Sequence, residues 1–375
     1  MITYPAEFNA RKEALFAALA QMDGGGHRLR LPMVSYRDFP ETEGRVTAAL
    51  SRAKKQPAGR VAKALKHWLV RGQYNGARRY FARHPDRLAV AWNGLGGSRG
   101  AFLQGARDAG AGVLYAELAP FPGRVTLDPN GVNAQSSVPQ DPAFYAAWAG
   151  QDAQRNGDGW RAVGQGMTAR PSRRSDVGQG SDALPDTPFL FCPLQVPDDS
   201  QVTLFSGWCG DMVGFVAALG HAANHLPDGW HLRLKEHPSA RHSLQPLIEP
   251  LLRAGRVVLD NASDSFAQIA ASRGVVTLNS SMGLQAFFHD KPVVSLGRAF
   301  WALPGLVTPA AGQAELEDLF AAPQELRFDA RFRAQVMNWL DQVYYPVFEW
   351  SKGQPPRFDK AAFAAKLAQA RGLPG

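Results

Sequence analysis

The stretch that decides the fold class lies at residues 274–307 and reads GVVTLNSSMGLQAFFHDKPVVSLGRAFWALPGLV. An apolar, β-branched run leads into the small polar segment 279–283, which opens a helical pattern that ends before residues 290–292. A second apolar run follows. The order strand, polar loop, helix, strand predicts a parallel sheet. Backbone N–H groups at such a helix start suit a phosphate or a carboxylate, and ligands bind at this edge of open α/β sheets.

Similar strand and helix patterns occupy much of the remaining chain. In the second half, short apolar runs alternate with helical spacing at residues 189–194, 211–225, 231–235, 243–254 and 256–259. In the first half, a strand pattern at 87–92 precedes a Gly-rich turn at 93–100, which is either a phosphate loop or a tight turn that needs glycine. The pattern predicts βαβ units in both halves.

A segment rich in Gly, Ser, Pro and charge separates the halves and is typical of a linker or a long mobile loop. We therefore predict two α/β domains with a cleft between their sheet edges. The predicted divisions are an N-terminal domain at 1–165, a linker at 166–187, a C-terminal domain at 188–330 and a helical tail at 331–375.

The bulk composition describes a soluble globular protein, since 45% of the 375 residues are hydrophobic and 20% are charged. The N-terminus carries charges where a secretion signal needs an apolar core, and no apolar run is long enough to cross a bilayer. Cys192 and Cys209 form neither a metal spacing nor a disulfide framework. We expect a cytoplasmic protein without a bound metal.

Basic residues concentrate between Arg45 and Arg87, where Asp86 is the only acidic residue. Aliphatic and aromatic residues such as Leu65 and Trp68 lie among them. A helix of this kind suits an anionic membrane surface. Nucleic-acid binding and an ordinary solvated basic face are the alternatives at this stage.

Four polar clusters follow predicted strands. Glu117 is a candidate acid or base. The adjacent acids of residues 195–201 could act as nucleophile and base, bind a metal, or cap the next helix. Lys235 and His237 are candidate phosphate ligands, as are the residues of segment 279–283.

These four clusters, with residues 291–307 behind the last of them, resemble the capsular polysaccharide synthesis family of bacteria. The resemblance covers residues 92–307. The family consists of Kdo transferases that build the lipid-linked oligo-Kdo foundation of capsules, and it is similar to GT-B glycosyltransferases with two Rossmann-like domains facing a cleft. The resemblance implies CMP-β-Kdo as donor, no metal or other cofactor, and retention of the β configuration.

Carried over by residue, the resemblance implies a catalytic set and a donor-binding set. Glu117 would be the acid/base, and Asp199 would be the nucleophile, with the adjacent Asp198 as the alternative. The donor would be held by Lys235, His237, Asn279, Ser280, Ser281, Gly283 and Gln285, with His237 also counted as catalytic. Gln285 stands where the family pattern has an acidic residue. The acceptor side would include Asn93, Gly96, Gly97 and Arg99.

The length of the chain favours the enzyme that adds the first Kdo to a phospholipid of the phosphatidylglycerol type. Such an acceptor explains the basic segment, which would hold the protein on the anionic inner face of the cell membrane. Nucleic acid is then not an expected partner. A transferase of another sugar or of a polyol phosphate, and a non-catalytic capsule assembly or export component, are the alternative functions.

Overall fold

A computed structural model describes residues 1–169, 172–181, 184 and 186–373. The chain forms two compact units. Unit 1 contains Met1–Val138 and the chain from Leu340 onwards, whereas unit 2 contains Pro139–Trp339. Residues 139–165, predicted to lie in the N-terminal domain, are thus part of unit 2. The tail predicted as one segment from residue 331 is divided between the two units.

Unit 1 is built on a five-stranded sheet. Its strands are β1 (Ile2–Pro5), β2 (Gly26–Leu29), β3 (Leu88–Trp92), β4 (Val113–Leu118) and β5 (Val125–Asp128). The accompanying helices are α1 (Ala10–Met22), α2 (Thr42–Ser51), α3 (Arg60–Arg83) and α4 (Gly97–Asp108). The strand order is β2-β1-β3-β4-β5, with β5 alone antiparallel to its neighbour.

Unit 2 is built on a six-stranded, fully parallel sheet in the order β11-β10-β9-β6-β7-β8. Its strands are β6 (Phe189–Pro193), β7 (His231–Lys235), β8 (Val257–Leu259), β9 (Gly274–Thr277), β10 (Val293–Ser295) and β11 (Thr308–Pro309). Its helices are α5 (Pro142–Ala149), α6 (Arg161–Gly164), α7 (Ser200–Phe205), α8 (Met212–Ala223), α9 (Gln245–Leu252), α10 (Ser265–Ala271), α11 (Ser281–Gln285), α12 (Gln313–Ala321) and α13 (Ala330–Trp339).

The chain returns to unit 1 through a π-helical turn, Leu340–Tyr344. A small antiparallel pair follows, β12 (Phe348–Glu349) with β13 (Arg357–Phe358), and then helix α14 (Lys360–Ala370). Phe363 and Leu367 of α14 are buried in the same apolar core as β1, β3 and β4. The last helix therefore belongs to the core of unit 1 and covers its sheet.

The stretch 274–307 folds as its pattern predicts. All four residues of β9 are buried, as expected for a strand covered on both faces. Ser280 begins α11, which continues as a 3₁₀ turn, Ala286–His289. Asp290 then adopts a left-handed conformation, with φ of 54°, and stops the helix before β10. The predicted order of strand, loop, helix and strand is confirmed.

Part of the predicted linker is docked on unit 2. We call residues 172–181 the strap. Its backbone N–H groups at Arg173, Gly178 and Gly180 donate to carbonyls that follow β7 and β8, with N···O distances of 2.7–2.8 Å. Val177 is buried. These contacts replace the mobile loop of the prediction, although residues 170–171, 182–183 and 185 lie outside the described part of the chain.

Candidate functional site

Three loops of unit 2 meet at one sheet edge, because β9, β6 and β7 are neighbouring parallel strands. The loop after β6 carries Asp198 and Asp199, the loop after β7 carries His237, and the loop after β9 carries the segment 279–281. The predicted donor-binding residues are therefore brought to one edge. Their side chains, however, have different roles there.

Lys235 holds loops together. Its side chain is buried, and its ammonium group donates to the carbonyl oxygens of Gly178, Asn261 and Ser263 at 2.8, 3.1 and 2.5 Å. An ammonium group has three N–H donors, so these bonds use all of them. Burial lowers the pKa of Lys235 below its ordinary value. The predicted phosphate contact of Lys235 is corrected accordingly, since its donors are taken by backbone.

Asn279 has a similar structural role. Its side chain is fully buried, and its amide nitrogen donates to the carbonyls of Gln201 and Phe205 at 2.8 and 2.9 Å. Its amide oxygen accepts a hydrogen bond of 2.9 Å from Gln195. Both N–H donors are thus satisfied inside the protein. Asn279 fixes the β9 loop against the β6 loop, which corrects its predicted role as part of the anion cradle.

The start of α11 is capped by Ser280. Its hydroxyl accepts from the backbone N–H of Met282 at 3.2 Å, which satisfies one of the unpaired donors of the helix start. Ser281 and Gln285 follow on α11, are half-buried, and lie on one helical face because they are four residues apart. Gly283 is explained by packing, since a Cβ atom there would lie 2.4 Å from the ring of Trp301.

His237 is oriented by its own loop. Its Nδ1 accepts a hydrogen bond of 3.0 Å from the backbone N–H of Ser239. The neutral imidazole therefore carries its proton on Nε2, which makes this nitrogen a hydrogen-bond donor. His237 is half-buried at the end of β7. This side chain has the chemistry that the sequence predicted for a phosphate ligand.

The carboxylate of Glu236, between Lys235 and His237, anchors the loop. It is buried and accepts from Arg174 of the strap at 2.8 Å, from Asn261 at 3.0 Å and from the backbone of Leu244. Burial raises the pKa of Glu236, but these donors outweigh it and hold the pKa below its ordinary range. Sequence analysis did not single out Glu236 or Arg174.

Asp199 is the N-cap of α7. Its Oδ1 accepts from the backbone N–H of Gln201 at 2.9 Å, so the helix-cap interpretation of this acid is confirmed. Asp199 is half-buried, whereas Asp198 is exposed. The cap fixes Asp199 at the sheet edge, and a cap does not prevent a carboxylate from acting as a nucleophile through its second oxygen.

Unit 1 carries a second polar cluster at the carboxyl ends of β3 and β4. Glu117 of β4 accepts a hydrogen bond of 2.8 Å from the side chain of Asn93, through Oε2. Asn93 follows β3 and has a φ of 59°, a conformation that asparagine tolerates better than most residues. The structure therefore brings the predicted acid/base next to a predicted acceptor-side residue.

Arg99 joins this cluster through two residues that sequence analysis missed. The buried carboxylate of Glu7 pairs with Arg99 at 2.5 Å and with Lys12 at 3.6 Å. Lys12 also lies 4.4 Å above the ring of Trp92. Burial lowers the pKa of Lys12, while Glu7 and Glu117 oppose this shift. Glu7 was missed because the strand before it, β1, has only four residues at the start of the chain and gives a weak sequence pattern.

The Gly-rich turn itself is explained by geometry. A Cβ atom at Gly96 would lie 2.3 Å from the carbonyl oxygen of Arg52, and Gly97 has a φ of 59°. Both positions therefore need glycine for the turn and its packing. Their assignment to the acceptor side remains a prediction.

Neither a metal centre nor a membrane span stands out in the described chain. Among the described residues, no three His, Cys, Asp or Glu side chains are grouped as metal ligands. Within the same residues, no helix combines the length and apolar character needed to cross a membrane.

Two α/β units with mainly parallel sheets and polar sites on the loops define a fold of the GT-B-like glycosyltransferase class. The fold resembles that of Thermosulfurimonas dismutans KpsC, a beta Kdo 2,7 transferase, at 15% identity and a TM-score of 0.52 over 98% of each chain. Residues 172–345 match the family described as "Capsule polysaccharide biosynthesis protein". This match, over residues 172–345, agrees with the predicted family resemblance. The predicted fold class is confirmed by the two α/β units and the likeness to KpsC.

Two curated relatives are similar to this chain in sequence. Protein FixF of Sinorhizobium fredii is 29% identical, over 84% of this chain and 75% of FixF. The capsule polysaccharide modification protein LipB of Neisseria meningitidis serogroup B is also 29% identical, over 45% of this chain and 43% of LipB. The matched region therefore spans less than half of LipB but most of FixF.

Proposed function

We propose that this protein is a retaining glycosyltransferase that moves Kdo from CMP-β-Kdo to a phospholipid of the phosphatidylglycerol type. This reaction would begin the poly-Kdo linker of a capsular polysaccharide. The observation that carries the proposal is the meeting of Asp199, His237 and the α11 start at one sheet edge of unit 2. All three lie within the family-matched residues 172–345. The likeness in fold to KpsC of Thermosulfurimonas dismutans, a beta Kdo 2,7 transferase, supports the choice of donor.

The proposed donor site uses fewer residues than the resemblance implied. His237 would donate from Nε2 to the CMP phosphate, and the half-buried Ser281 and Gln285 would contact the nucleotide. Lys235 and Asn279 would contribute indirectly, because their hydrogen bonds hold the three loops in position. No metal would be needed in this scheme, since the imidazole and the backbone N–H groups of the α11 start supply the polar contacts.

Retention requires two inversions at the anomeric carbon. In the first step, the Asp199 carboxylate would attack that carbon as the bond to the CMP phosphate oxygen breaks, and CMP would leave with the bonding electron pair. In the second step, the acceptor hydroxyl would attack the same carbon and release Asp199. Glu117 would take the proton of that hydroxyl. The hydrogen bond from Asn93 orients the Glu117 carboxylate for this role.

The basic segment would place the enzyme at its acceptor. Between Arg45 and Arg87 the chain has a single acidic residue, Asp86, and several basic residues together decide binding to an anionic surface. We place the protein on the cytoplasmic face of the cell membrane, bound peripherally. Phospholipid of that membrane would serve both as the surface that binds the enzyme and as its acceptor substrate.

The test is mass spectrometry of the lipid product after incubation with CMP-Kdo and phosphatidylglycerol. The expected product is phosphatidylglycerol carrying Kdo in β linkage, made by the wild type and not by His237→Ala. Turnover with CDP-glycerol but not CMP-Kdo would show a polyol-phosphate transferase instead. Absence of any transfer, with CMP also failing to bind, would favour a non-catalytic assembly or export role.

A further inference from the structure

Helix α3 is packed along only part of its length. From Val70 onwards it contributes buried residues, including Val70 and Tyr74, which form an apolar cluster with Ala101 of α4. Every residue from Arg60 to Leu65, in contrast, is exposed. An unpacked helical segment of this size is marginally stable in water, so the first turns of α3 are suited to a further contact.

The exposed turns carry a continuous apolar ridge. Val61, Leu65 and Trp68 are spaced as one helical face, and 76%, 61% and 53% of their respective surfaces are exposed. Tyr36 stacks on Trp68 with ring centroids 4.3 Å apart. Val34 is half-exposed beside Tyr36, and both would contact a Cβ atom at Gly72. We call Val34, Tyr36, Val61, Leu65 and Trp68 the α3 ridge.

Basic residues surround this ridge. Lys63 and Arg60 are exposed on α3, and Lys54 and Lys55 are exposed in the loop before it. The chain has no acidic residue between Glu43 and Asp86. Glu43 and Asp38 pair with His67 and Arg71 of α3, so the border is mainly, not entirely, basic. An apolar surface with a mainly basic border matches a surface that is apolar inside and anionic outside. A second copy would bring like charges together, which opposes self-association through this face.

We propose that the α3 ridge inserts into the boundary between headgroups and acyl chains of an anionic phospholipid bilayer. The surrounding lysine and arginine side chains then contact the lipid phosphates. The inference deepens the proposed function, on which it rests for the phospholipid acceptor, by naming the residues that enter the membrane. It also separates an apolar contribution from the electrostatic attraction of the basic segment.

Insertion is tested by placing an environment-sensitive fluorophore on Leu65→Cys in the full chain. Labelling is selective because both native cysteines, Cys192 and Cys209, are buried. The matched control is Val213→Cys on α8 of unit 2, whose side chain is 54% exposed. With vesicles of phosphatidylglycerol and phosphatidylcholine, the label at position 65 should shift to the blue and be quenched by acyl-chain spin labels, while position 213 should not.

Two variant pairs separate the contributions. Leu65→Ser with Trp68→Ser should weaken vesicle binding at least about tenfold, at low and high salt alike. Lys54→Gln with Lys63→Gln should weaken it about 30-fold at low salt only. Both pairs should keep their turnover of a short-chain, water-soluble acceptor.

The proposal is overturned if position 65 shows no shift, or if positions 65 and 213 respond equally. It is also overturned if the label shifts with protein concentration in the absence of lipid, because a second copy would then cover the ridge. Vesicle insertion without Kdo transfer would leave this inference intact and refute only the proposed function.

Discussion

Replacing Lys235 by Met tests whether this lysine is a structural residue or a donor ligand. The substitution keeps the length of the side chain and removes the ammonium group, so the carbonyl oxygens of Gly178, Asn261 and Ser263 lose a shared donor. Each unsatisfied buried acceptor costs about 1–3 kcal/mol. Relief of the desolvation that lowers the lysine pKa offsets part of this cost.

We expect a net loss of about 3 kcal/mol in the stability of unit 2. For a unit of this size, a loss of that magnitude lowers the melting temperature by roughly 6–12 °C. Differential scanning calorimetry measures this change, and hydrogen exchange should show faster exchange in the strap. The exposed Lys352→Met is the matched control and should stay within about 0.5 kcal/mol of the wild type. An unchanged melting temperature together with lost CMP binding would refute the structural role.

Three further substitutions test separate parts of the structure. Asp199→Asn should keep the α7 cap, because asparagine caps helices well, yet it should abolish turnover, whereas Asp198→Asn should remain active. Calorimetry measures the cap and a turnover assay measures activity; an active Asp199→Asn variant would show that Asp199 is not the nucleophile. Gly283→Ala places a Cβ atom 2.4 Å from Trp301 and should cost about 1–3 kcal/mol by thermal unfolding, so a neutral effect would show that the ring can move. Burial lowers the pKa of Lys366 to about 8 from 10.5. The unfolded chain therefore binds more protons between these values, and unit 1 should gain on the order of 3 kcal/mol as the pH rises from 8 to 10.5. That gain should be absent in Lys366→Met.

The sheet of unit 2 could be predicted from sequence because its strands β6, β9 and β10 are fully buried and therefore mostly apolar. The strand at His231–Lys235 was predicted with the bounds that the structure shows. Helix-ending residues were equally informative, since Asp290 takes the left-handed conformation that ends the helix after β9. The division of the chain was harder to predict, because local patterns do not reveal that the chain leaves unit 1 at Val138 and re-enters it at Leu340.

For the candidate site, the sequence predicts which residues lie at strand ends, but not which partners their side chains bind. The sequence places Lys235 and Asn279 at the correct sheet edge, but it does not show which donors are consumed there. Those partners come from distant parts of the chain, as Gly178 does for Lys235 and Gln195 does for Asn279. The Glu7 contact with Arg99 was missed for the same reason. Side-chain saturation is a property of tertiary structure, and the spacing of residues does not encode it.

The strap has a consequence for isolating unit 2 as a fragment. A fragment that begins at Phe189 would contain every strand of the sheet, yet its buried Lys235 would lack one carbonyl acceptor and Glu236 would lose Arg174. Two charged groups would then be buried without partners that the intact chain supplies, and such losses are strongly destabilising. A fragment that keeps these contacts therefore begins at or before Ser172, and we expect it to be more stable than one that begins at Phe189. Proteolytic cleavage on the C-terminal side of the strap, at residues 184–188, would cut the chain but leave Gly178 and Arg174 in place, provided that the strap stays bound.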